Sequence, residues 1–168
     1  MRLAPMILLA GLATPAFSDI AVQFDEGAPK DRFRIANLSA CDTGPVDITI
    51  DLAGSAAGLL FDTTERGQGV EVYQPVELES GTAILTEVTD GSQKLQLRMP
   101  DFALGDAITV SADLDDTMPN SNLGQIRVAN SEIAGVTVSI ETPGGMGANV
   151  IDASSQTSLS GALGCPQA

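Results

Sequence analysis

Apolar and polar residues alternate along much of the chain. Val46, Ile48, Ile50 and Leu52 are separated by Asp47, Thr49 and Asp51, and Leu95, Leu97 and Met99 by Gln96 and Arg98. The same spacing runs through Ile108, Val110, Ala112 and Leu114, offset by Thr109, Ser111, Asp113 and Asp115, and through Val136, Val138 and Ile140. A period of two predicts strands with one face buried and one face polar and wet. Weaker strand signals cover 20–24, 32–38, 58–62, 69–78, 82–86, 125–129 and 149–152. Pro75 interrupts the long one, which predicts a bend or an edge there. Asp90-Gly91 and Leu104-Gly105-Asp106 are turn signals. No stretch carries a capped 3.6-residue period, so little helix is expected. The whole predicts an all-β fold: one antiparallel β-sandwich of about eight to ten strands, jelly-roll-like or immunoglobulin-like. The Ser-, Gly- and Ala-rich stretch 153–163 reads as an irregular segment.

The alternation begins only after a different kind of segment. Arg2, the apolar run 3–13 and Ala16-Phe17-Ser18 before Asp19 have the layout of a secretory signal peptide cut after Ser18. The run is too short to span a bilayer, and no later segment is long and apolar enough for a membrane span. The expectation is residues 1–18 as signal peptide and 19–168 as a single β-sandwich domain, secreted or periplasmic. An oxidising compartment then makes a Cys41–Cys165 disulfide the simple reading of the two cysteines. It would close a loop of about 125 residues and add roughly 4–5 kcal/mol on the chain-entropy model.

Charge narrows the choice of partner. The chain carries a formal charge of −14, and loss of residues 1–18 removes Arg2 and no acid, leaving −15. Such a surface repels nucleic acid and anionic membranes, so neither is expected as a partner. Cations, basic proteins or plain solubility fit it.

Most catalytic chemistry is excluded by composition. There is no histidine, which removes Ser-His-Asp and Cys-His catalysis and histidine-based metal sites. No Walker loop or dinucleotide fingerprint is present. A pair of carboxylates would suffice for glycoside hydrolysis. There is no tryptophan and a single tyrosine, Tyr73, to hold a sugar by stacking, so an enzyme is not expected.

The densest acidic run is Asp113-Leu114-Asp115-Asp116. The pleat would send Asp113 and Asp115 to one outer face, about 6.5–7 Å apart, with Asp116 pointing elsewhere unless the chain turns. Met118-Pro119-Asn120-Ser121-Asn122 suggests that it does turn. Asp113, Asp115, Asp116, Asn120 and, from the next strand, Glu132 offer the hard oxygens that calcium takes, and calcium is the candidate cofactor. The alternative is a solvated strand end. The run is not an EF-hand, because Met118 stands where glycine is needed and Gly124 where the bidentate acid is needed. The stretch 144–152 matches one calcium β-roll nonapeptide with Asn149 at the aspartate position; a single copy reads as a glycine-rich hairpin turn. Asn37-Leu38-Ser39 is a glycosylation sequon.

Several runs taken together carry a resemblance: 27–33 (GAPKDRF), 50–52 with 58–63 (IDL, GLLFDT), 69–75 (GVEVYQP), 113–117 (DLDDT) and 131–135 (SEIAG). They resemble small exported bacterial proteins labelled aggregation factor core proteins. The resemblance implies calcium-dependent cell adhesion or matrix assembly, with the Asp113–Asp116 run as the ion site. With one domain and no repeat array, bridging would need self-association or a protein or matrix partner. A periplasmic binding or structural protein without an adhesive role is the alternative, and a hydrolase using two of Asp113, Asp115, Asp116 and Glu132 comes third.

Overall fold

In the computed structural model, residues 19–40, 42–65, 73–119 and 127–160 are described. The segment 1–18 read above as a signal peptide, Cys41, Cys165 and Asn120 lie outside the described residues.

Among the described residues twelve strands form, in chain order β1 (Asp19–Asp25), β2 (Asp31–Asn37), β3 (Val46–Asp51), β4 (Leu60–Phe61), β5 (Glu77–Ser80), β6 (Ile84–Leu85), β7 (Lys94–Met99), β8 (Ala107–Ala112), β9 (Leu114–Asp115), β10 (Thr137–Thr142), β11 (Gly145–Val150) and β12 (Gln156–Ser160). The one helical element among the described residues is a 3-10 turn, Leu52–Gly54. The first sheet runs β12-β1-β2-β8-β5, the second runs β11-β10-β3-β7-β6, and β4-β9 makes a small third sheet. Every described pairing is antiparallel. This is the expected all-β sandwich.

Alternation explains the layering. In β3, Val46, Ile48 and Ile50 are buried, and in β7 Leu95, Leu97 and Met99 are buried, with the intervening residues more exposed. Their inward rows meet Ile20, Val22, Phe24, Phe33, Ile35, Ile108 and Val110 from the first sheet in one core. Phe24 pairs with Phe33 in register, their ring centroids 5.3 Å apart and tilted by 55°, an edge-biased packing that aromatic quadrupoles favour. Outward on the first sheet, Arg32 pairs with Glu79 at 2.8 Å and Arg34 with Asp25 at 2.6 Å. Exposed pairs of this kind add little stability.

Several expectations are corrected. The strand read through 108–115 breaks at Asp113, and its last two residues leave the first sheet to pair with Leu60 and Phe61. The stretch 153–163 contains β12, whose Leu159 and Thr157 face Ile20 and Val22; alternation of Thr157 and Leu159 is too short to register as a period. The glycine-rich stretch from 144 is mostly strand rather than turn, since pairing with β10 supplies hydrogen bonds that glycine propensity does not forbid. Residues 127–129 form no strand. Asn37 is fully buried, donates to the Phe102 carbonyl at 2.8 Å and accepts from the Ser39 N–H at 3.0 Å. The sequon thus serves as an internal hydrogen-bond hub, closed to modification in the folded chain.

Candidate functional site

The chain leaves the first sheet at Asp113, and the exit places acid beside acid. The Asp113 carbonyl accepts from Asp62 N–H at 3.0 Å, so the residue after β4 is clamped to the residue before β9. Leu60 then pairs with Asp115 and Phe61 with Leu114. At the start of β2, Asp31 pairs with Ala112, one residue before Asp113. Four carboxylates from three separate segments thus reach one end of the sandwich.

These groups are withdrawn from water. Asp31 is 3% exposed, Asp62 0%, Asp113 6% and Asp115 2%. The expectation that Asp113 and Asp115 occupy a wet outer face is therefore corrected, and so is the alternative of a solvated strand end. The reason is the covering by neighbouring segments. Gln74 lies over the end and donates to Asp113 Oδ2 at 2.7 Å. Beside it, Lys30 donates to the Pro75 carbonyl at 2.6 Å and to Glu77 at 2.7 Å.

Burial of like charges sets the protonation. Loss of solvent raises Asp113 to about 7, helped by Asp115 and Asp62 and opposed by Lys30. Asp31 is likewise raised to about 7 by burial, with the Gly27 backbone bond opposing and Asp113, Glu26 and Asp115 adding to it. For Asp62 the value is about 6, from burial first and the neighbouring Asp90 carboxyl next. Both Asp62 oxygens are inaccessible and lack a hydrogen bond of good geometry among the described residues; the Asp90 carboxyl and the Thr64 backbone are its polar neighbours. Asp90 accepts from Thr63 N–H at 3.0 Å and lines a cleft of about 540 Å³ together with Thr63, Tyr73, Pro75 and Val88.

The other sequence candidates are spent locally. Asp116, 3% exposed, accepts from Met118 N–H at 3.0 Å through Oδ1, and its Oδ2 is buried without a hydrogen bond among the described residues. Glu132, 6% exposed, closes its own turn by accepting from Ala129 N–H at 2.6 Å. The carboxylates that act on Asp113 are Asp115 and Asp62, not Glu132. Asn120 lies outside the described residues. As placed, no three acidic, histidine or cysteine side chains among the described residues converge as a metal-holding group.

Sequence reasoning missed Asp31 and Asp62. A signal was present for both: Asp31 falls in phase with buried Phe33 and Ile35, and Asp62 directly follows the apolar run Leu59-Leu60-Phe61. An acid in phase with the core face is one that the fold must neutralise.

Fold and site together define an antiparallel β-sandwich with a buried carboxylate cluster at one end. No family model matches the chain, and no curated protein or solved structure matches it significantly.

Proposed function

We propose that this is an exported, non-enzymatic β-sandwich module for cell adhesion, aggregation or matrix interaction, with calcium taken up by the carboxylate cluster. The single observation that carries the cation is the buried grouping of Asp31, Asp62, Asp113 and Asp115, four acids against which Lys30 acts at Asp113 and the Arg32 guanidinium at Asp31. Buried acids in this condition hold protons or take a cation. The donors fit calcium in chemistry, being hard oxygens, and both Asp62 oxygens are buried without a hydrogen bond of good geometry among the described residues. Uptake on this reading draws side chains together from their separate positions.

A disulfide between Cys41 and Cys165 completes the reading. Asp19 pairs with Ser160, and the Asp19 carbonyl accepts from Leu38 N–H at 2.9 Å, so the segments leading to both cysteines depart from one point. Cys41 is three residues past Leu38 and Cys165 five past Ser160, within reach at about 3.3–3.6 Å per residue.

The test is thermal unfolding in EDTA and in millimolar calcium, beside the double variant Asp113→Asn/Asp115→Asn. A ligand at a hundred times its Kd stabilises by about 2.7 kcal/mol, a Tm shift of several degrees. The wild type is expected to show the shift and the variant to lose it. Coincident wild-type curves would sink the calcium reading. A carboxylate-based hydrolase is the second reading, favoured by Asp90 lining a cleft with Asp62 raised to about 6 beside it. Turnover of a chromogenic glycoside that Asp62→Asn abolishes would transfer the site to that reading.

A further inference from the structure

The edge of a sheet bares a row of backbone donors and acceptors, and folds blunt it with charge, bulges, brevity or local bonds. Three of the four edges of the two large sheets are blunted in these ways. β5 carries Glu77 and Glu79 and a break in register between Leu78 and Ser80. β6 is two residues long. In β12 the Gln156 carbonyl accepts from Asp152 N–H at 3.1 Å and the Ser158 carbonyl from Asn149 Nδ2 at 3.0 Å. The fourth edge is β11, six residues in unbroken register with β10 and free of charge and proline.

Register decides which groups β11 turns outward. Ile151 N–H donates to the Val136 carbonyl at 2.8 Å, which makes that pair a hydrogen-bonded one. Bonded and open pairs alternate in an antiparallel ladder. Asn149, Gly147 and Gly145 therefore bond β10, and Met146, Ala148 and Val150 turn their N–H and C=O groups to the free side. Val150 N–H is taken by Asn149 Oδ1 at 2.9 Å; the rest of that row meets no partner among the described residues. The same three residues send their side chains to the outer face, where all are exposed, Met146 by 72% and Val150 by 48%. One strand thus presents an open ladder edge and an apolar stripe together.

An open ladder edge is completed by another strand, and the sequence of this one fits its own copy. The stripe runs large, small, large, so an antiparallel copy centred on Ala148 sets Met146 against the copy's Val150 and Ala148 against its counterpart. The backbone groups fall into step in the same arrangement. Ala148 N–H meets the copy's Ala148 carbonyl and Met146 N–H the copy's Val150 carbonyl, each twice by the two-fold symmetry, and the Asn149 bond to Val150 N–H stays in place. Charge points the same way. A chain of −14 repels its copies over most of its surface, but β11 carries no acid, and a basic foreign strand would find no carboxylate on it. Glu141, beside Met146 on β10, ends roughly 19 Å from its counterpart, beyond the Debye length at physiological salt. We propose that β11 pairs with β11 of a second copy of this chain, joining the two second sheets into one. So short an edge buries less than the roughly 1,600 Å² of a standard interface, so the dimer is weak and forms only as concentration rises.

The pairing goes beyond the function proposed above and needs no cation, so it is tested in EDTA, where failure of the calcium reading leaves it untouched. Sedimentation velocity of the protein is followed from micromolar to millimolar concentration, with denaturing gels run without reductant to establish that no intermolecular disulfide joins the copies. Sedimentation is expected to rise toward that of a dimer, and to do so at lower concentration as salt screens the remaining repulsion. Ala148 meets its own counterpart, so Ala148→Glu and Ala148→Lys each place like charges face to face and are each expected to weaken the dimer by about tenfold or more. An equimolar mixture of the two is expected to restore it, since opposite charges then meet. Arg34→Ala on the first sheet changes the net charge as much as Ala148→Glu and is expected to leave association unchanged; circular dichroism establishes that each variant is folded. A wild type that stays monomeric at all concentrations overturns the proposal, whether its edge is bare or covered by another segment of its own chain. So does a dimer that both folded variants retain, a mixture that restores nothing, or association that weakens with salt.

Discussion

A carboxylate that folding strips of water holds its proton to a higher pH than the same group in the unfolded chain. Asp31 and Asp113 are raised to about 7 and Asp62 to about 6, chiefly by burial. The folded state therefore binds more protons than the unfolded state from about pH 4 to about pH 7, and stability falls as pH rises through that window. Thermal unfolding in EDTA is expected to give a higher Tm at pH 5 than at pH 8 from this cluster. Asp113→Asn, which keeps the shape and removes the charge, is expected to flatten the profile and raise the Tm at pH 8 by a few degrees. A profile equally steep in the variant would remove Asp113 as its source. The proposed calcium would act with the opposite slope, since it competes with protons for the same oxygens, and its stabilisation is expected to grow with pH. At this scale the sequence located Asp113, Asp115 and Asp116 as candidate cation ligands but placed Asp113 and Asp115 on an outer face. Asp31 and Asp62 join them only because β2 and β4 are brought to the same end by pairings that no local pattern encodes.

Among the elements, legibility followed the clarity of the alternation. Strands β3, β7, β8 and β10, each of six residues, stand where alternation predicted them. The two-residue pairs β4, β6 and β9 and the polar β12 are held by their neighbours rather than by their own propensities. The turn before β10 is held by a close approach. Gly135 has φ 97°, and a Cβ placed there would stand 2.1 Å from the Gly54 carbonyl oxygen in the 3-10 turn. Ala56 N–H donates to the Ala134 carbonyl at 2.7 Å across the same junction. Gly135→Ala must therefore separate two backbones and strain a left-handed residue at once, and a loss of about 2–4 kcal/mol is expected in urea unfolding. A change under about 0.5 kcal/mol would mean that this junction yields freely.

For the molecule as a whole, the sandwich class was legible because burial on one face of each strand is written as a period of two. The division of strands between the sheets was not, because alternation says which side of a strand is buried and nothing about its neighbour. The proposed Cys41–Cys165 link would act at this scale, tying the end of the chain to the loop after β2. Reductant is expected to lower the Tm of the wild type by several degrees and to leave a Cys41→Ser/Cys165→Ser protein unmoved. Equal melting with and without reductant in the wild type would argue that no such link contributes.

The pairing of Asp19 with Ser160 also sets an order of events during biosynthesis. A chain that emerges from its N-terminus delivers β1 first, and β1 can find β2 within a few residues. Its other edge has to wait for β12, nearly the whole sequence later. Until Gln156–Ser160 arrives, the first sheet ends in an open row of backbone donors and acceptors, the surface that recruits foreign strands. Among the described strands β12 is the one that shuts this edge, so a ribosome holding back residues 156–160 also holds the first sheet short of its native pairing.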